Sequence, residues 1–225
     1  ALVEWDKYAV DTLLDNQRAG LSQLSRCQIH RMDVRDFSYS NISGTVDLVA
    51  GGPPCQPFSM GGKHQAFNDA RDMFPSAVRA VRELQPRAFI FENVKGLRRS
   101  AFANYLEYIR LQLSFPMLVR NENEDWTGHL SRLESHSISR PVTELDYNVV
   151  IHWANAADYG VPQRRERVFI IGFRSDLAAK ANWSFPLPTH SEDALIWDKW
   201  ISNNYWKRNT VRINDRADPT HAQRN

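Results

Sequence analysis

Residues 74–91, FPSAVRAVRELQPRAFIF, contain a predicted helix followed directly by a predicted strand, and this order predicts the fold. Pro75 suits the first turn of a helix, and Pro86 ends that helix. Residues 88–91 are wholly apolar, which is typical of a strand buried inside a sheet. The apolar residues before them recur at the spacing of one helix face, at Phe74, Ala77, Val78, Val81 and Leu84. A helix that leads directly into a buried strand is the repeating unit of α/β proteins.

The same alternation runs along most of the chain. Further helices are predicted over residues 6–15 and 102–113. The last four predicted strands are nearly continuous in apolar residues, which favours burial on both faces in a parallel sheet. We therefore predict an α/β fold with a doubly wound, mostly parallel sheet, whose ligands bind at the carboxyl ends of the strands. Strands are predicted over residues 2–5, 27–31, 46–50, 88–91, 147–153 and 167–173.

Composition excludes several classes of protein. The chain has 225 residues, 42% of them hydrophobic, so it can fill a core and is not a disordered protein. No apolar run approaches the roughly 20 residues that span a bilayer, so no membrane partner is expected. Two cysteines, Cys27 and Cys55, are too few for a disulfide framework, and no metal site is predicted. We expect an intracellular protein, cytoplasmic if bacterial, with Cys27 buried in its strand.

The chain divides into two predicted regions. Residues 1–174 form the predicted catalytic domain, interrupted at about 114–146 by an acidic segment that we expect to be a solvated helical insertion. Residues 175–225 form an extension rich in tryptophan, with basic residues concentrated in 199–216. Aromatic and basic residues together suit a nucleic-acid surface, and they equally suit a small aromatic core with a solvated rim.

A rigid turn follows the predicted strand 46–50. It contains Gly51-Gly52-Pro53-Pro54-Cys55-Gln56-Pro57, in which the glycines allow unusual dihedrals and the prolines fix the rest. Such a turn at the ligand-binding end of a sheet can present one side chain for attack. Cys55 is its candidate nucleophile.

An acid and an amide, Glu92 and Asn93, end the apolar strand 88–91 at the same edge of the sheet. A partly desolvated carboxyl group favours its protonated form, so Glu92 is a candidate proton donor to a ring nitrogen. The alternative is a helix N-cap, which Asn93 would fill well.

Three arginines crowd the connection before strand 167–173. In Gln163-Arg164-Arg165-Glu166-Arg167, alternation along an extended chain puts Arg165 and Arg167 on one face. Two guanidinium groups pointing the same way suit a phosphate or a carbonyl oxygen. A solvated patch of salt bridges is the alternative for this motif.

Together and in this order, the three motifs resemble the catalytic blocks of the DNA cytosine-5 methyltransferases. The matching residues are Pro53-Pro54-Cys55-Gln56, Glu92-Asn93-Val94 and Gln163-Arg164-Arg165-Glu166-Arg167. The resemblance covers roughly residues 1 to 174. It implies a Rossmann-like methyltransferase fold that binds S-adenosylmethionine and belongs to DNA methylation, as in restriction-modification systems.

The resemblance also implies a cofactor site. Glu4 and Trp5 match the block whose acid holds the ribose of S-adenosylmethionine beside an aromatic ring on the adenine. Asp33 and Val34 are similar to the block that contacts the adenine edge. Met73 belongs to the block that opens the next helix.

The implied reaction is methyl transfer to C5 of a cytosine flipped out of duplex DNA. Cys55 would add to C6 of the base and Glu92 would protonate or hydrogen-bond N3. Arg165 would hold O2, and Arg167 would add positive potential nearby. The loop with Ser59 and Lys63 would close over the DNA.

Two features of the family pattern are not found: its opening Phe-x-Gly-x-Gly loop, and its recognition domain with the last blocks. We therefore expect an incomplete member of the family or one subunit of a split enzyme, completed by a second chain. The extension 175–225 would begin the DNA recognition region. The alternatives are an inactive DNA-binding scaffold of the same fold and a cysteine hydrolase that uses Cys55 with His64.

Overall fold

A computed structural model describes residues 1–54, 72–139, 145–178 and 183–216. Helices and strands alternate along parts of the chain, as predicted, but the strands at residues 147–155 and 166–174 follow each other without an α-helix between them. The strands are β1 (Leu2–Glu4), β2 (Ile29–Arg31), β3 (Leu48–Gly51), β4 (Ala88–Val94), β5 (Tyr147–Asn155) and β6 (Glu166–Arg174). The α-helices are α1 (Lys7–Arg18), α2 (Phe74–Leu84), α3 (Ala103–Ser114), α4 (Trp126–Ser139), α5 (Ser175–Ala178), α6 (Glu192–Ile196) and α7 (Asn204–Arg208).

The strands form two sheets. β1 pairs with β2 in parallel, and the other sheet has the order β3-β4-β6-β5. In that sheet β3 and β4 are parallel, while β6 is antiparallel to both β4 and β5. Three of its four strands therefore run in the same direction, as in a mostly parallel sheet, while the reversed strand β6 makes two of the three strand pairs antiparallel. The ten residues 156–165 between β5 and β6 are too few for the crossover that a parallel pair requires.

The main core lies between this sheet and helices α2, α3 and α4. β4 and β6 supply its centre, where Gly172 lies opposite Phe89 in the ladder. A Cβ at position 172 would overlap the Phe89 ring, so the packing requires glycine there. Fully buried side chains from the helices complete the core, among them Val81, Ile109 and Leu133.

The expected burial on both faces is best met by β6, while β4 alternates between buried and half-buried residues. It is wrong for the edge strands β3 and β5, and Val150 of β5 is 47% exposed. Leu48 is 55% exposed, because β3 is an edge strand and one of its sides borders a cavity. Cys27 also differs from the prediction. It is half-buried and precedes β2, in a turn where its thiol donates to the carbonyl of Gln23 at 3.5 Å.

Within the described residues, β1 and β3 each have one edge that pairs with no other strand, and both edges border this cavity. Leu2 N donates to Gln28 O and Glu4 O accepts from Met32 N, so the backbone of Val3 between them faces away from β2. Similarly, Asp47 O accepts from Ala88 N, so the next residue, Leu48, turns its backbone away from β4. Val3 and Leu48 line the cavity from its two sides.

The acidic segment is helical, as expected, but it is more closely packed than a solvated insertion. Leu133 of α4 is fully buried in the main core. In the extension, Phe185 stacks on His152 of β5 with ring centroids 3.6 Å apart. Trp206 is buried and donates to the carbonyl of Lys199 at 2.6 Å, so a small aromatic core is present there. No helix among the described residues has the length and apolarity to cross a membrane.

Candidate active site

The turn after β3 is fixed from two sides. Asn93 Nδ2, on β4, donates to the carbonyl of Pro53 at 2.8 Å. Met73 N, directly before α2, donates to the carbonyl of Pro54 at 3.2 Å. Two successive carbonyl groups are thereby held in place, and the chain continues from them to Cys55.

Glu92 lies beside this turn. A Cβ on Gly52 would stand 3.6 Å from Glu92 Oε2, at ordinary van der Waals distance, so the carboxyl group adjoins the turn. Glu92 Oε1 is 2.6 Å from Arg167 Nε, and the Glu92 side chain is 39% exposed. The Glu92 side chain is therefore partly exposed and paired with a guanidinium group, whereas a partly desolvated carboxyl group was expected. Its role as a proton donor stays a prediction. β4 also extends through Glu92 and Asn93 to Val94 rather than ending at residue 91.

The two arginines that were predicted to share one face make different contacts. Arg167 lies on β6, and its Nη1 also donates to the carbonyl of Glu166 at 2.8 Å. Arg165 precedes β6, its backbone N donates to Asn155 Oδ1 at 3.0 Å, and its side chain is exposed. Only Arg167 forms an ion pair with Glu92 among the described residues. Arg165 therefore has different partners from Arg167 among the described residues.

The five predicted cofactor residues, Glu4, Trp5, Asp33, Val34 and Met73, line one cavity of about 800 Å³. The cavity also contacts the turn after β3 and the Phe91 side of β4. It therefore reaches from the carboxyl ends of β1 and β2 to the residues next to Glu92, which is where ligands bind in open α/β sheets.

Hydrogen bonds position two acids of this cavity. Glu4 Oε1 accepts from Asp6 N at 2.8 Å. Asp33 accepts from Arg35 Nε at 3.0 Å and from Arg35 N at 2.8 Å, and these bonds lower the pKa of Asp33. Both carboxylates therefore stand in fixed places at the cavity wall. Trp5 is 72% exposed, so its indole ring is free to cover a bound group.

Three predicted site residues, Cys55, Ser59 and Lys63, lie outside the described residues, as does His64.

Two residues that sequence reasoning missed support the site. Asn93 was considered as a helix cap, but it lies in β4 and anchors the Pro53 carbonyl. Arg79 of α2 donates through Nη2 to the carbonyls of Val34 at 2.6 Å and Phe37 at 3.2 Å. Nothing in the helical pattern distinguishes Arg79 from its neighbour Arg82, because its partners are about 45 residues away in the sequence.

The statistical model of the C-5 cytosine-specific DNA methylase family matches residues 1–115 and 124–224. The type II methyltransferase M.AquIA of Picosynechococcus is 39% identical over 64% of this chain and 49% of its own length. The type II methyltransferase M.NgoMIV of Neisseria gonorrhoeae is 32% identical over 88% of this chain and 60% of its own length. The chain thus spans about half the length of these relatives.

Among solved structures, one from an E. coli prophage, described as a DNA modification methyltransferase, aligns with a TM-score of 0.51. It is 24% identical, and the alignment covers 81% of this chain and 41% of that chain, which supports the fold. The fold is thus the Rossmann-like one predicted for a methyltransferase. From the extent of the family match, the chain belongs to the C-5 cytosine-specific DNA methylase family.

Proposed function

We propose that this chain carries the catalytic centre of an enzyme that methylates C5 of cytosine in duplex DNA. One observation carries the proposal: the turn that leads to Cys55 is anchored beside the Glu92–Arg167 pair and opens on the large cavity. The turn therefore leads toward an acid and a cofactor pocket at one sheet edge, and we propose that Cys55, the next residue of the chain, is the nucleophile there.

We propose S-adenosylmethionine as the ligand of the cavity. The donor set suits an adenosine group: Glu4 for the ribose hydroxyls, Asp33 and Val34 for the adenine edge, and Trp5 for its face. Met73 adds an apolar contact. When bound, this cofactor supplies a methyl group made electrophilic by its sulfonium centre.

The remaining chemistry belongs to the chain and the base. The Cys55 thiolate adds to C6 of cytosine, and the negative charge that develops spreads onto N3 and O2. Glu92 supplies a proton or hydrogen bond to N3. The sequence predicted that Arg165 holds O2. Because Glu92 contacts Arg167, we propose instead that Arg167 holds O2 and that Arg165 adds positive potential nearby. Loss of the C5 proton then restores the double bond as Cys55 leaves.

The base must leave the duplex to reach these groups, at a cost of a few kcal/mol. We propose that Ser59 and Lys63 contact the DNA at that stage. The extension beginning at residue 175 would lead into the recognition region for duplex DNA. Its Lys199 lies 4.8 Å from the Tyr205 ring centroid, so basic and aromatic groups adjoin there.

We further propose that the chain acts with additional polypeptide, either in the same protein or in a second chain. Two observations support this: the chain spans about half of its relatives' length, and the edges of β1 and β3 are both open at the cavity. The added part would complete the methionine end of the cofactor site and supply DNA recognition.

The test is incorporation of labelled methyl into duplex DNA by an active preparation, followed by trapping on DNA that contains 5-fluorocytosine. The fluorine cannot leave as a proton does, so the enzyme should remain covalently attached through Cys55. Cys55→Ser should abolish both transfer and trapping while DNA binding stays measurable. An adduct on Cys27, the matched cysteine outside the site, would contradict the assignment. DNA binding without any transfer, in every preparation, would favour the inactive scaffold.

A further inference from the structure

Six cationic residues lie in the two chain segments that adjoin at the edge of the sheet that holds Glu92. β4 and β6 are antiparallel and Val94 pairs with Arg167, so the end of β4 and the start of β6 share this edge. We name the group the basic rim. It consists of Lys95, Arg98, Arg99, Arg164, Arg165 and Arg167.

Contacts across the edge show that the two halves of the basic rim adjoin. Lys95 Nζ is 2.7 Å from Glu166 Oε2, and both Lys95 and Arg98 lower the pKa of Glu166. The Arg98 guanidinium group lies 5.9 Å from the ring centroid of Trp153 on β5. The rim therefore continues from the segment after β4 across to the β5–β6 connection.

The basic rim has an excess of positive charge. Three acids contact it, Glu92, Glu166 and Glu192, and each pairs with one of its members. The other three members, Arg98, Arg99 and Arg165, are exposed and form no ion pair within the part of the chain that the structure describes.

We infer that the basic rim binds the phosphodiester backbone of the DNA strand next to the reacting base, an inference that rests on the proposed function. Guanidinium groups bind phosphate oxygens in bidentate fashion, and a polyanion matches a row of unpaired cations. Both side chains of the Lys95–Glu166 ion pair are exposed to solvent, so a phosphate group can replace Glu166 at little energetic cost. Because Arg167 also contacts Glu92, a strand lying along the rim passes directly beside the proposed base site.

The test compares two double variants that remove the same charge. Arg98→Gln/Arg99→Gln removes two unpaired members of the rim. Arg82→Gln/Arg87→Gln removes two arginines near the other end of β4, of which Arg87 pairs with Asp47 at 3.3 Å. Affinity for a fluorescein-labelled duplex is measured by anisotropy from about 50 to about 200 mM salt. Thermal melting confirms that each variant is folded.

The rim variant should bind roughly tenfold more weakly, for any duplex sequence. Its salt dependence should be shallower by about 0.9 in slope for each phosphate group that it no longer neutralises. The control variant should bind like the wild type. Equal affinity of the two variants would overturn the inference, as would a wild type that does not bind duplex DNA or binds polyglutamate equally well. If the rim variant binds normally while the active preparation still methylates DNA, the rim inference fails and the proposed function stands.

Discussion

Arg79 connects helix α2 to the loop that carries two of the proposed adenine contacts. Its Nη2 bonds two carbonyls of that loop, and its guanidinium group lies 4.9 Å from the centroid of the Tyr39 ring. A charged donor that serves two carbonyls contributes more than a neutral one. The conformation of the Asp33–Val34 loop therefore depends on one side chain from a different part of the sequence.

We predict that Arg79→Met weakens binding of S-adenosylmethionine about tenfold, which corresponds to about 1.4 kcal/mol, while the maximal rate changes little. Methionine keeps the apolar part of the side chain and removes both hydrogen bonds to the loop. Arg82→Met is the control, since Arg82 lies on the same helix and lines a different, smaller cavity. Calorimetric titration of an active preparation measures both affinities. Equal weakening by the two variants would show that the loop does not depend on Arg79.

At the same scale, the Glu92–Arg167 contact shows the limit of sequence reasoning about the site. The motifs predicted that Glu92 and the two arginines lie near each other, because they follow or precede neighbouring strands. They could not decide which arginine touches Glu92, since alternation gives both the same face. The register of β6 against β4 decides it, because it sets Arg167 opposite Val94, two residues from Glu92. Register depends on tertiary pairing.

Among the elements, α4 is anchored to α3 by a buried histidine. His129 is 1% exposed, its Nε2 donates to the carbonyl of Leu118 at 2.8 Å, and its Nδ1 is 2.8 Å from Tyr108 Oη. A carbonyl can only accept, so Nε2 carries a proton. In the neutral ring that burial favours, Nδ1 accepts from the Tyr108 hydroxyl. Burial lowers the pKa of His129, and burial also raises the pKa of Tyr108 to about 12.

The lowered pKa predicts a loss of stability in acid. Unfolded His129 takes up a proton below about pH 6.5, whereas the folded protein resists protonation. Its contribution to the free energy of unfolding is therefore complete above about pH 6.5 and falls as the pH drops below that value. In His129→Gln this dependence should flatten, and stability at about pH 7.5 should fall by about 1–3 kcal/mol.

Urea unfolding at about pH 7.5 and about pH 5.5 measures both effects. His190→Gln is the control, because His190 is an exposed histidine outside α4. If His129→Gln retained the pH dependence of the wild type, another group would be responsible.

The elements also show how far pattern alone predicts a fold. Helix α2 has the predicted bounds because its apolar spacing, Pro75 and Pro86 all agree. The last four strands were expected to be parallel, and this is wrong for β6. A run of apolar residues indicates burial and carries no information about strand direction. Only the short connection of residues 156–165 could have indicated a hairpin.

At the scale of the whole molecule, the proposed cofactor cavity lies between two separate sheets, and this arrangement affects how strongly the chain can bind the cofactor. We predict that the 225-residue chain alone binds S-adenosylmethionine weakly, if at all, and does not methylate DNA. A preparation completed with the family's glycine-rich strand and loop and its recognition region should do both. Labelled methyl transfer by the two preparations is the measurement. Robust turnover by the chain alone would contradict the prediction.

The separation of the sheets also has a consequence for amide hydrogen exchange. A sheet of two short strands is marginal by itself, so β1 and β2 should open locally at a much lower free energy than β4, which is paired on both sides. Amides of Leu2 and Met32 should then exchange quickly while those of β4 remain protected. A ligand that bridges the cavity should slow exchange in β1 and β2 and leave β4 unchanged. The small sheet would then report cofactor binding independently of catalysis.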